Sequence, residues 1–204
     1  MVKIKPILFN TEMVRATLEN RKTATRRVVK PQHLRVLDSP YHKEHPETPD
    51  KVLLEKLCEP PYRPGDILYV RETWAESADG YVYRADEPDS DGWGWRPSIH
   101  MPREAARIFL RVTGVRVERL QEIDDAQAYA EGAEGVPCNC DGSEVFCSRC
   151  CNTGWFISPR SEFAHIWDST IKPVDRALCG WRADPLVWVI EFERYEKPEE
   201  RKMI

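Results

Sequence analysis

The sequence predicts an α+β protein that is mainly β, a small closed or half-closed barrel with two or three flanking helices. Three observations point there. About six short runs are rich in β-branched and aromatic residues and return at Pro-Gly or Gly turns, only two or three runs carry helical spacing, and no internal repeat is present. With 204 residues, 41% hydrophobic and 31% charged, the chain has ordinary globular composition. It reads as one domain over 1–204 with two insertions, a Pro-rich loop at 37–60 and a Cys-rich segment at 136–157. No run of about eighteen apolar residues exists to span a membrane. "MVKIKPILFN" lacks a secretory apolar core with a small-residue cleavage site, so the expected location is the cytoplasm.

In chain order, "KPILFN" is a strand, followed by a helix capped at Thr11 with Met13, Val14, Thr17 and Leu18 at helical spacing. That helix ends near Asn20 or Arg21, and Asn20 suits a left-handed cap. "TATRRVV" alternates as a strand, with Thr23 and Thr25 on one face and Ala24 and Arg26 on the other. Residues 31–63 hold six prolines and one short helical piece, "DKVLLEKL". "RPGDILYVRETW" is a turn leading into a strand over Ile67 to Glu72, with "YVYRA" as its hairpin partner and an irregular loop after it. "ARIFLRVTGVRVERL" gives two strands broken at Gly114. "DDAQAYAEGA" is a helix capped at Asp124 or Asp125 and ending at Gly132. A further helix, "SPRSEFAHIWDSTI", is capped near Ser158 or Ser161, and "PLVWVIEFERYE" is a closing strand.

The net charge of −4 is unevenly spread. Residues 1–36 hold nine Lys or Arg against Glu12 and Glu19, a net of +7, which leaves −11 for the rest. Such asymmetry marks either a site for an anionic partner or cations that disperse once the chain folds. An acidic remainder disfavours long duplex nucleic acid, whose binding draws on phosphate neutralisation. The densest basic stretch is "LENRKTATRRVVKP", with Arg21, Lys22, Arg26 and Arg27 around Thr23 and Thr25.

Five cysteines lie within fourteen residues, "CNCDGSEVFCSRCC". Cys138 and Cys140, then Cys147 and Cys150, form two ligand pairs joined by a Gly-containing loop, the donor set of a structural zinc site. Cys151 is an alternative to Cys150, and four thiolates leave no open position for catalysis. Cys58 and Cys179 read as packing residues.

Taken together, "ILFNTEMVRATLENRKTATRR", "PPYRPGDILYVRETW", "ARIFLRVTGVRVERLQEI", "AQAYAEGAE" and "PLVWVIEFER" resemble the ASCH domain, a PUA-like β-barrel family, in its phage and prophage branch. The resemblance covers roughly 4–36, 60–135 and 160–195. It implies a barrel with a cleft lined by the segment after the first helix, and a nucleoside, nucleotide or single-stranded RNA as partner in the host cytoplasm. The family's "G-R-K-T-x-T-x-R" stands here as Asn20 to Arg27, resembling members that hydrolyse 4-acetylcytidine. That implies catalytic roles for Lys22, Thr25 and Glu131, with Glu134 close to the last.

Amide hydrolysis needs a nucleophile, a proton acceptor and donors to the oxyanion. Lys22 serves as base only if its pKa is lowered, and burial beside Arg21 and Arg26 pushes that way. Arg21, Arg26, Arg27, Arg71 and Glu72 are candidate substrate contacts. Trp74, Trp93 and Trp95 are candidate stacking surfaces for a base, Trp74 being equally suited to the core. Two other functions compete: a non-catalytic RNA- or nucleotide-binding module, and a phage accessory protein that binds a host protein.

Overall fold

A computed structural model describes residues 2–86, 92–138 and 155–198 of the chain. Its elements in order are β1 (Ile4–Leu8), α1 (Thr11–Leu18), β2 (Ala24–Val28), α2 (Pro31–Leu34), α3 (Pro40–Glu44), α4 (Asp50–Leu57), β3 (Ile67–Arg71), β4 (Trp74–Ser77), β5 (Gly80–Tyr83), β6 (Phe109–Arg119), α5 (Asp125–Ala130), β7 (Val136–Pro137), β8 (Trp155–Ile157), α6 (Pro159–Thr170), α7 (Arg176–Cys179) and β9 (Leu186–Tyr195). The fold is mixed α and β with mostly sheet. The main hydrogen-bond order is β1-β3-β6-β9-β2, with separate two-stranded pairs β4-β5 and β7-β8. Among the described residues β1 and β2 are the two ends of that order, so no barrel closes. No helix among the described residues is long and apolar enough to cross a membrane.

The chain divides into two compact units. The first comprises Met1–Thr23, Pro61–Val115 and Ile190–Ile204. In it β1 pairs parallel with β3, Leu8 opposite Arg71, and β3 pairs antiparallel with β6, Leu68 opposite Leu110. Its core gathers Ile67, Trp74, Met101, Ala105, Ala106 and Phe109, with Tyr69 and Tyr83 packed against them. Both edges of β3 are therefore occupied, and "YVYRA" pairs instead with β4, Ala75 opposite Val82. The turn before β3 is held by Asp66. Burial disfavours its charge, but the Lys5 ammonium at 2.8 Å and the Arg63 and Lys3 N–H groups outweigh that and hold its pKa below the usual value.

The second unit comprises Ala24–Pro60 and Arg116–Val189. Its core is Leu120, Ile123, Ala128, Ala133, Phe163, Trp167, Val187 and Val189. Helix α5 is capped by Asp124, whose carboxylate accepts from Gln127 N–H at 2.7 Å while Gln127 returns the bond to Asp124 N–H. Ser158 caps α6. The 37–60 segment is more ordered than a loop: α3 and α4 fold within it, Leu53 and Leu54 are buried, and Glu55 Oε1 accepts Val117 N–H at 2.7 Å. That carboxylate satisfies a backbone donor of β6 beyond the reach of β3, whose pairing stops at Arg111.

Two local expectations are corrected. Asn10, not Thr11, caps α1, its side chain accepting Met13 N–H at 2.8 Å. Gly114 does not split its segment, and β6 runs unbroken through it. A Cβ there would stand 2.8 Å from Glu191 Oε2, so the glycine makes room for a side chain rather than a turn.

Candidate functional site

The first helix ends so as to turn the basic stretch inward. Asn20 adopts φ 60, its N–H donates to Thr17 C=O at 3.1 Å, and Arg21 N–H donates to Ala16 C=O at 2.9 Å. This pair of bonds is a Schellman closure with Asn in the left-handed position that glycine usually fills. Lys22 N–H also reaches Ala16 C=O, at 3.0 Å, so the residue is pinned to the helix end. A solvated helix end would leave Lys22 in water. Instead it is 2% exposed, with Nζ lying 5.4 Å over the Phe9 ring centroid. Cation–π contacts of this kind reach about 2 kcal/mol when desolvated.

The next residues belong to the second unit. Thr25 is 1% exposed, and its Oγ1 accepts from Arg27 Nη1 at 2.8 Å, leaving the hydroxyl proton available to a further acceptor. Arg27 is thereby drawn to Thr25 and to the Arg26 carbonyl, at 2.9 Å. Arg26 projects from the other side of the alternating strand into a dry carboxylate nest. Its Nη1 lies 3.2 Å from Glu131 Oε1, and its Nη2 donates to Glu118 Oε2 at 3.0 Å and Gln127 Oε1 at 3.1 Å. Gln127 on α5 and Glu131, its C-cap, are one helical turn apart, which aims both at the guanidinium. Phe163 covers it, 5.9 Å from ring centroid to Cζ, and among the described residues Arg26 Nε has no hydrogen-bond partner. Arg26 therefore organises Glu131 instead of standing open to an anion. Glu134 is exposed.

A second charged cluster occupies the first unit. Glu72, 1% exposed, is gripped in a fork by Arg107, Nε to Oε1 at 2.9 Å and Nη2 to Oε2 at 3.0 Å. Arg107 turns its remaining donors to Asp86, at 2.5 and 3.1 Å, and stacks 3.9 Å from the Tyr83 ring centroid. Burial pushes the Glu72 carboxyl above its ordinary pKa, with Arg107 opposing. Burial likewise works against the Arg107 charge, but the hydrogen bonds to Glu72 and Asp86 win and raise its pKa further. Neighbouring Arg71 donates Nε–H to Met101 C=O at 2.7 Å.

The tryptophans divide. Trp74 is core, with Arg96 over its ring at 5.1 Å and Tyr81 in an edge contact at 5.5 Å, so it is packed rather than open. Trp93 and Trp95 are half-buried, and Arg84 stacks on Trp95 at 5.3 Å. Of the cysteine ligands, Cys138 is half-exposed and Cys140, Cys147 and Cys150 lie outside the described residues. The flanks of their segment are zipped together by β7 and β8, Val136 opposite Ile157 and Pro137 opposite Trp155. Gly135, at φ +71, permits that approach, since a Cβ would stand 2.7 Å from Ile157 O.

Part of the amino-terminal positive charge is paired in the fold. Lys5 meets Asp66, Arg15 meets Glu12, Arg21 meets Glu19 at 2.5 Å, and Arg26 meets Glu118 and Glu131. Sequence reasoning missed Glu118, Gln127, Arg107 and Asp86. Only Gln127 carried a local signal, as the third residue of a capping box. Comparison with protein-family models, with curated proteins and with solved structures finds no match to this chain.

Proposed function

We propose that this chain is an ASCH-type, PUA-like domain directed at a modified nucleoside, and that it hydrolyses an acyl group from an exocyclic nitrogen of the 4-acetylcytidine kind. Water is added across the amide C–N bond, giving acetate and the free amine. In this reading Thr25 is the nucleophile, and Lys22 takes its proton and returns it to the leaving nitrogen. Glu131, the third residue that the resemblance implies, pairs with Arg26 on the side of β2 away from Thr25. The observation that carries this reading is the burial of Lys22, at 2% exposure, immediately after a helix end that would leave a lysine solvated by default. Taking an ammonium out of water costs several kcal/mol, and folds keep such groups chiefly where chemistry needs them. Arg27 on Thr25 Oγ1 supplies a fixed partner for the nucleophile.

Incubation with 4-acetylcytidine, following acetate release, tests the proposal. Turnover that falls at least about a hundredfold in both Lys22→Ala and Thr25→Ala, each still folded, supports it. No turnover together with salt-sensitive binding of single-stranded RNA replaces it with the binding module. Inertness in both assays leaves a host-protein contact.

Cys138, Cys140, Cys147 and Cys150 hold a structural zinc ion in this reading, on a segment flanked by the β7-β8 pair. Metal analysis of the purified chain then finds about one zinc per molecule, and a fully metal-free, folded chain rejects the site.

A further inference from the structure

Thr25 and Arg27 stand two apart on β2 and so share one face of that strand. The half-buried Arg27 side chain folds back along this face. Its Nη1 donates to Thr25 Oγ1 at 2.8 Å and to the Arg26 C=O at 2.9 Å, so one nitrogen bridges the nucleophile and the backbone beside it. Thr25 is 1% exposed, and a β-branched side chain has little freedom at χ1. Donor and hydroxyl are therefore held at a fixed spacing before any substrate arrives. Arg26, the residue between them, points the other way, to Glu118 and Glu131.

Acyl transfer to Thr25 needs a donor that no residue named so far supplies. Attack of Oγ1 on an acyl carbon forms the C–O bond while the carbonyl π pair moves onto oxygen, and that oxyanion needs a preorganised N–H. It lies two bonds from Oγ1, the atom that Arg27 already touches. A hydroxyl has two lone pairs, so Arg27 occupies one and leaves the other for attack. Once bonded to the acyl carbon, Oγ1 is a weak acceptor beside a fully charged one. Hydrogen bonds to an ionised acceptor are about twice as strong as neutral ones, which draws the same N–H across to the oxyanion. The oxyanion collapses as the exocyclic amine leaves, and it forms again when water attacks the acetyl ester. One donor thus serves both halves of the hydrolysis.

We propose that Arg27 is a catalytic residue, the donor that receives the oxyanion formed when Thr25 attacks the substrate's acyl carbon. This assignment rests on the amidohydrolase reading and adds to it the group that meets the developing charge. An arginine that anchored a remote substrate phosphate would bind ground and transition states alike and show in KM, whereas an oxyanion donor shows in kcat.

Steady-state kinetics of the full chain test it, with 4-acetylcytidine and with the analogue whose acyl oxygen is replaced by sulfur. Sulfur accepts hydrogen bonds poorly, so an enzyme with a working oxyanion donor prefers the oxygen substrate. In Arg27→Met, kcat for 4-acetylcytidine should fall about 10²–10³-fold with KM within about threefold of the unaltered value. The preference for oxygen over sulfur should shrink at least about tenfold, which the loss of a merely structural arginine does not produce. Arg27→Lys keeps a cation without the planar fork and should lie between the two, and it carries the same test where Arg27→Met does not fold. Three results overturn the assignment and leave the amidohydrolase reading standing: a folded Arg27→Met with kcat within about threefold, a loss confined to KM, or an unchanged preference for oxygen. An unaltered chain that releases no acetate removes both.

Discussion

The first unit buries a carboxylate and leaves its arginine partly in water, whereas the second buries the arginine and surrounds it with carboxylates. Glu72 is 1% exposed against 26% for the Arg107 side chain, while Arg26 is 1% exposed beside Glu131 at 4% and Glu118 at 14%. The two arrangements use the same ion-pair chemistry but fail differently. A buried carboxylate that loses its partner takes up a proton and becomes neutral. A guanidinium cannot be discharged at any accessible pH, so its nest has no such escape.

The largest expected effect follows from that inequality. Glu118→Gln together with Glu131→Gln leaves Arg26 buried without an anion and should cost about 3–5 kcal/mol in denaturant unfolding at constant m-value. A loss below about 1 kcal/mol would mean that water reaches Arg26, and the contrast between the units would dissolve.

Removing the arginine of the first unit should give a smaller, pH-dependent loss. In Arg107→Met, Glu72 keeps the burial that raises its pKa and loses the partner that opposes the rise. A carboxyl whose folded pKa exceeds its unfolded one is most favourable to stability below the unfolded value, and that stability is lost as pH rises through the folded value. The variant should therefore lie close to the unaltered chain near pH 4 and fall about 2–3 kcal/mol below it by pH 8. A penalty equal at both pH values would contradict the escape by protonation.

Smaller still is the effect at the β6 backbone. Glu55→Ala strands the Val117 N–H that this carboxylate accepts and should cost about 1–2 kcal/mol, with hydrogen exchange at Val117 accelerated. Unchanged exchange there would show that α4 merely rests on the strand.

Local chemistry was legible in the sequence and distant pairing was not. Asn20 at φ 60, the Asp124 cap with Gln127 and the Ser158 cap all follow from residue types within four positions of one another. The β-branched run of β9 is equally plain. By contrast, Arg26 finds Glu118 and Glu131 across 92 and 105 positions, and Glu72 finds Arg107 across 35. No spacing rule reaches that far, so the carboxylates that meet Arg26 and the arginine that meets Glu72 could not be read from the residues around them. Gly114 misleads for a related reason, because its role is set by Glu191 on a strand remote in sequence.

The account turns on Lys22 being retained for chemistry at the expense of stability, and thermal unfolding of Lys22→Met measures that directly. Glu72 keeps Arg107 in this variant. The methionine should leave Tm unchanged or raise it by a few degrees, about 4 °C for each kcal/mol gained, while acetate release from 4-acetylcytidine disappears. A drop in Tm of several degrees with hydrolysis intact would make Lys22 a structural cation and contradict the account.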